Sequence, residues 1–189
     1  VTGTQTNVGK SANTFSYTLN SNTKLTNYNI TKTEGELEVT AVTNKVTVTI
    51  TGHTAEAKYD GQEHTAEGYD VSTSNALYTA ADFKFTGTDS VTKTDAGNYS
   101  MGLKTADFEN TSENFKNVEF VVNDGSLTIS KRNVTLTSAT DSKVYDGNAL
   151  TNSEVTVGGD GFATNEGATY NVTGTQTNVG KSANTFSYT

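Results

Sequence analysis

The chain has 189 residues, with 21 acidic side chains against 13 basic ones, a formal charge of −8, and neither Cys nor Pro. Without Cys there are no disulfide staples and no thiolate metal sites, and the acidic balance excludes nucleic acid, whose phosphates call for a basic face. Only 32% of the residues are hydrophobic, but they alternate with polar ones in runs that have a face to bury, which argues against disorder; no run is long enough to span a membrane.

The first eighteen residues, VTGTQTNVGKSANTFSYT, return unchanged at Val172–Thr189, a shift of 171 positions. Identity over that distance marks a window on a longer tandem array, and repetition governs every later reading. Phe15, Tyr17 and Leu19 alternate with Ser16 and Thr18 at strand period. The polar stretch Asn20–Thr26 turns the chain toward Tyr28 and Ile30, again at strand spacing, and Glu34-Gly35 leads into Glu36-Leu37-Glu38-Val39, apolar on one face and acidic on the other. After the short link Thr40–Asn44, Val46, Val48 and Ile50 alternate with Thr47, Thr49 and Thr51, the pattern of a half-buried antiparallel strand. Lys58-Tyr59-Asp60-Gly61 carries a turn at Asp-Gly. Phe83 and Phe85 follow, then Tyr99, Met101 and Leu103, then a polar insertion at Lys104–Lys116. Val118, Phe120 and Val122 resume the alternation, Asp124-Gly125 turns it, and Leu127 and Ile129 close the segment. Lys131–Asn133 links to Val134 and Leu136, to Val144-Tyr145-Asp146-Gly147, to the Gly-rich run Gly158–Gly161, and finally to the duplicated stretch.

Two versions of one plan emerge when these segments are laid over each other. Ile50 matches Leu136, Tyr59-Asp60-Gly61 matches Tyr145-Asp146-Gly147, and Phe83–Gly87 matches Tyr170–Gly174. Tyr99, Met101 and Leu103 match Phe15, Tyr17 and Leu19, while Phe120, Gly125, Leu127 and Ile129 match Ile30, Gly35, Leu37 and Val39. The chain is therefore read as the C-terminal portion of one module (1–43), a complete module (44–130) and the N-terminal portion of the next (131–189), each whole module being about 85 residues, large enough to fold alone. The expected fold is all-β: small sandwich-like modules in an extended array. The alternative is β-grasp-like modules, with one short helix in Lys104–Lys116. Neither link contains Gly or Pro, so the modules are expected to follow one another stiffly. Each split module exposes unpaired strand edges, and head-to-tail association, in which one chain's N-terminal portion completes the next chain's C-terminal portion, is the expected consequence.

The stretches Lys143-Val144-Tyr145-Asp146-Gly147 and Asn27-Tyr28-Asn29-Ile30, leading into Gly35-Glu36-Leu37-Glu38-Val39, resemble the YDG and MBG-type repeats of large bacterial surface proteins. The middle module looks like their usual companion, with Lys58-Tyr59-Asp60-Gly61, Asp95-Ala96-Gly97-Asn98-Tyr99 and Asn114-Phe115-Lys116-Asn117-Val118 ahead of Asp124-Gly125-Ser126-Leu127. What the resemblance implies is an extracellular location on a bacterial cell surface, wall-anchored or secreted, and a place in an adhesin or surface fibre. It carries over no catalytic or ligand residue.

Candidate chemistry is sparse. Val8-Gly9-Lys10-Ser11 has the end of a phosphate-binding loop, but five residues separate Gly3 from Gly9 where that motif has four, and a strand pattern follows instead of a helix. His53 and His64 have no ligands at metal spacing, and no nucleophile stands in a catalytic context, so neither a cofactor nor an enzyme is expected. Tyr59, Asp60, Tyr145 and Asp146 are candidates for a binding site repeated in each module, beside the simpler reading of a core-edge Tyr and a turn. Lys58 and Lys143 with Asn117 and Asn27 are candidates for Lys–Asn isopeptide crosslinks, which need a carboxylate and a dry pocket. The expected function is a structural stalk or spacer. The alternative is a set of modules that bind host glycans or proteins with avidity.

Overall fold

Alternation of β-branched and aromatic residues with Thr, Ser and Asn runs through nearly the whole chain, and the backbone follows it. In the computed structural model, which describes every residue from Val1 to Thr189, 40% of the chain is strand and no helix reaches seven residues. Strands β1 (Gly9–Asn13) and β2 (Gly35–Val39) precede the first link. Between the links lie β3 (Val46–Gly52), β4 (Thr54–Lys58), β5 (His64–Glu67), β6 (Tyr69–Thr73), β7 (Phe83–Phe85), β8 (Ser90–Lys93), β9 (Gly97–Ser100), β10 (Phe108–Asn110), β11 (Val118–Asn123) and β12 (Ser126–Ser130). After the second link come β13 (Val134–Ser138), β14 (Val155–Gly159), β15 (Tyr170–Val172) and β16 (Phe186–Tyr188). The chain divides into two compact units that interleave in sequence. One comprises Val1–Gly52, Tyr69–Thr88 and Gly102–Asp124; the other comprises His53–Gly68, Asp89–Met101 and Gly125–Thr189. Residues 44–130 thus contribute strands to both.

In the first unit β3 is the central strand of the order β11-β3-β6. Val46, Val48 and Ile50 are at most 1% exposed, as their alternation requires. The expected antiparallel pairing holds only on one side: β6 runs antiparallel, but β11 runs parallel, with Val118 opposite Val46 and Val122 opposite Ile50. Period-2 patterning specifies a face and says nothing about the neighbour's direction; the long connection from β3 to β11 is what permits a parallel ladder. Over this sheet packs an aromatic cluster. Phe85 and Phe108 have ring centroids 4.9 Å apart, Tyr78 meets Phe115 edge-on at 5.1 Å, and Phe83 meets Phe120 at 5.6 Å. The Tyr78 hydroxyl, on a side chain 2% exposed, donates to Asn110 Oδ1 at 3.0 Å. The short helix considered for Lys104–Lys116 does not form. A single 3-10 turn, Thr105–Asp107, delivers β10, whose Phe108 pairs across to Phe85 on β7. Long-range pairing decides this: Phe108 is buried in the ladder with β7, and the equally buried Phe115 bridges Val42, which requires extended backbone at both positions.

A second correction concerns the strand expected over Phe15, Tyr17 and Leu19. The first copy of the duplicated stretch is strand only at β1, whereas the second is strand at β16, over Phe186–Tyr188. The difference lies in the partners: Phe186–Tyr188 is paired with Tyr170–Val172, whereas Phe15–Tyr17 has no strand beside it. Tyr28 and Ile30, also expected at strand spacing, lie outside any strand and stay exposed.

In the second unit β12 is the central strand of the order β4-β12-β9, parallel to β4 and antiparallel to β9. Leu127 and Ile129 are 0% and 2% exposed, so each contributes about 2–3 kcal/mol of burial. Separate two-stranded sheets are formed by β5 with β8, β13 with β14, and β15 with β16.

Candidate functional site

The densest polar network in the second unit surrounds the link Lys131–Asn133. Arg132 is the only arginine in the chain. Its Nε donates to the Gly161 carbonyl at 2.7 Å, Nη1 donates to the Tyr59 carbonyl at 3.2 Å, and Nη2 donates to the Asp160 carbonyl. A planar guanidinium with a rigid fork of donors can satisfy three carbonyls from two chain segments at once, which a lysine cannot. Asp160 completes the clasp. Its Oδ2 accepts from the Asn133 amide at 2.8 Å, its own amide donates to the Asn133 carbonyl at 2.7 Å, and its Oδ1 takes Lys58 Nζ at 2.6 Å. Lys58, and then the Asn133 amide, hold the Asp160 carboxyl below the usual carboxylate range against a smaller opposing effect of burial. Beside it the Tyr59 hydroxyl donates to Glu166 Oε1, and that bond, reinforced by burial, raises the phenol's pKa.

The Gly-rich run has a local reason here. Gly159 sits at φ +70°, and a Cβ on it would lie 2.2 Å from the Asn133 carbonyl oxygen. Only glycine lets β14 leave its ladder and bring Asp160 onto the link.

The first unit holds a smaller counterpart around the link Thr40–Asn44. Val42 forms a parallel bridge with Phe115; its amide donates to the Asn114 carbonyl at 2.8 Å and its carbonyl accepts from Lys116 at 3.0 Å. Asn114 Oδ1 accepts the Val8 amide at 2.8 Å, and its Nδ2 donates to Asn7 Oδ1 at 3.2 Å. The first link is thus held to the segment Asn114–Asn117, and the second to Tyr59, Asp160 and Gly161.

Of the residues singled out from the sequence, Lys58 and Tyr59 belong to the clasp. Asp60 instead closes its own turn, accepting from the Gln62 amide and from His64 Nε2, both at 2.9 Å; these bonds, the first foremost, hold its carboxyl low. Tyr145 is 61% exposed, and Asp146 takes Lys143 Nζ at 2.7 Å and the Asn148 amide at 3.0 Å. Gly61 and Gly147 adopt φ +79° and +82°, the left-handed geometry of an Asp-Gly turn. The isopeptide candidates are not set in a dry pocket. Lys58, Asn117, Lys143 and Asn27 are all exposed, both lysines are ion-paired, and Asn117 Nδ2 reaches the Thr43 carbonyl at 3.4 Å. Lys10 of the Gly-Lys-Ser sequence lies on β1 and pairs with Glu36 at 2.6 Å. No group of three or more His, Cys, Asp or Glu side chains is arranged to hold a metal ion, and no helix is long and apolar enough to cross a membrane. Arg132 and Glu166 were not anticipated, and Asp160 and Asn114 were not expected to hold the links. The one usable signal was a solitary arginine placed within a link.

Searched against known proteins, the chain matches no family model, no curated protein and no solved structure.

Proposed function

We propose that this chain is a length of stiff stalk or spacer from a bacterial surface protein of the adhesin or surface-fibre type, built of YDG/MBG-like repeats. Its place is extracellular, and its role is mechanical positioning, without catalysis or a cofactor. The observation that carries this reading is the clasp at Lys131–Asn133. A link meant to flex leaves its backbone to water; this one is gripped by three guanidinium bonds, a reciprocal Asn133–Asp160 backbone and side-chain pair, and the Lys58 ion pair. Charged partners of this kind hold geometry by direction as well as by energy.

The chain lacks Cys, so engineered pairs label cleanly. Cysteines at Glu56 on β4 and Thr156 on β14, carrying spin labels, are expected to give a single narrow distance distribution that broadens in Arg132→Ala. A broad distribution in the unaltered protein defeats the stalk reading. Specific binding of the same protein on a glycan array replaces it with adhesion by the modules themselves.

A further inference from the structure

In residues 44–130 the first strands pair with the last, and in one direction. Within the first unit β3 lies parallel to β11 over six residue pairs, Val46 to Thr51 against Val118 to Asn123. Pairing begins ahead of the strands: Val42 bridges Phe115, and the Val46 amide donates to the Asn117 carbonyl at 2.8 Å. Within the second unit β4 lies parallel to β12 over five pairs, Thr54 to Lys58 against Ser126 to Ser130. There the pairing continues past the strands. The Tyr59 amide donates to the Ser130 carbonyl at 2.9 Å, and Arg132 Nη1 donates to the Tyr59 carbonyl at 3.2 Å. Every other strand ladder in the chain is antiparallel.

Direction decides what a ladder does under tension. Pulled along the chain, the first strand of each pair is drawn from its N-terminal end and the second from its C-terminal end. In a parallel pair those two ends lie at opposite extremes, so the strands must slide past each other and the evenly spaced bonds share the load. A pair pulled apart from one end yields bond by bond. Both parallel ladders are also covered on one face. Val46, Val48 and Ile50 on β3 and Leu127 and Ile129 on β12 are at most 2% exposed, so sliding either ladder brings buried apolar surface to water. Residues 59–117 lie in sequence between the paired strands and bear no load while the ladders hold.

We propose that this chain carries tension, and that the β3–β11 and β4–β12 ladders are its load-bearing elements, held in shear. This rests on the stalk reading and goes past it: a spacer has only to keep its length, whereas these ladders resist being pulled. Their place in the chain fits the task. Tension arriving through the link Thr40–Asn44 meets β3 first. Tension leaving through Lys131–Asn133 is drawn from the end of β12, beside the Arg132 and Asp160 bonds that grip that link.

The test pulls single molecules of the full chain through handles on cysteines introduced at exposed sites. Asn44→Cys with Lys131→Cys loads the ladders in shear. Asn44→Cys with Glu113→Cys sets both handles ahead of the paired strands, at one end of β3–β11, and opens that ladder from its end. At the same pulling speed the first pair is expected to unfold at a force at least about twofold higher, because its bonds yield together. That event should release roughly 300 Å of chain, the extended length between its handles. Equal forces in the two geometries, or a higher force in the second, overturn the proposal. Narrow spin-label distances across Arg132 with equal forces would defeat the load-bearing ladders and leave the stalk; broad distances with the twofold difference would do the reverse.

Discussion

Replacing Leu127 by alanine probes the central position of β12 more directly than any other change. The side chain is 0% exposed, with Ala55 of β4 opposite it on one side and Tyr99 of β9 on the other. The change removes three carbons at roughly 0.8 kcal/mol each, about 2.4 kcal/mol in transfer terms. Both flanking strands are tied to β12 by backbone ladders and cannot close over the space, so a cavity contribution brings the expected loss to about 3–4 kcal/mol. The equivalent change in the split module, Leu37→Ala, alters a half-buried residue in a two-stranded sheet and is expected to cost about 1 kcal/mol. Because the chain divides into two units, the readout should be local: urea-dependent hydrogen exchange at the amides of β4 and β9. At a slope of about 2 kcal/mol per molar urea, the Leu127 variant shifts that midpoint down by roughly 1.5–2 M. A shift of no more than about 0.5 M, the size a loss of about 1 kcal/mol produces, would refute the assignment of β12 as the central, fully packed strand.

Arg132→Ala should raise hydrogen exchange at Asn133, Asp160 and Gly161 by about 30-fold, the equivalent of about 2 kcal/mol for charge-assisted bonds, and Arg132→Lys should not restore protection because a point charge cannot reach three carbonyls; unchanged exchange in Arg132→Ala would dismiss the clasp. Gly174→Ala places a Cβ 2.3 Å from Asn184 Oδ1 and 2.4 Å from Asn184 Cα, so thermal unfolding should show a loss of at least about 2 kcal/mol, while Gly167→Ala, with open space around it, should be neutral. The Tyr78 phenol is pushed up to about 12 by burial, with Asp82 adding to the effect. Its folded-state pKa is raised, so its contribution to stability is complete below pH 10 and is lost as pH climbs toward 12. Absorbance titration should lose its latest-titrating phenol in Tyr78→Phe, while Tyr59, also raised, stays; an unchanged titration curve in that variant counts against the buried hydroxyl.

Sequence patterning determined the faces of this protein. In Val46–Thr51, Val118–Val122 and Ser126–Ile129, where apolar residues alternated with polar ones, strands formed with the expected side turned inward, because a period of two leaves one choice of interior. The Asp-Gly turns were legible for a related reason: a positive φ is a property of one or two residues and needs no partner. The duplicated stretch announced repetition by identity alone.

Partners were not legible. Strand direction and neighbour depend on connections that close over long distances, so the parallel β3–β11 and β4–β12 ladders could not be read from alternation. The same eighteen residues are strand at β1 in one copy and at β16 in the other, which shows that pairing, and not propensity, settles their state. The clasp is likewise tertiary: Lys58, Arg132 and Asp160 are distant in sequence, each is an ordinary charged residue in its own segment, and only the folded chain brings their charges within hydrogen-bond range. Local chemistry specifies which side of a strand is dry and where the backbone turns; which surfaces meet is decided by the closure of long loops, a free energy that no single segment contains.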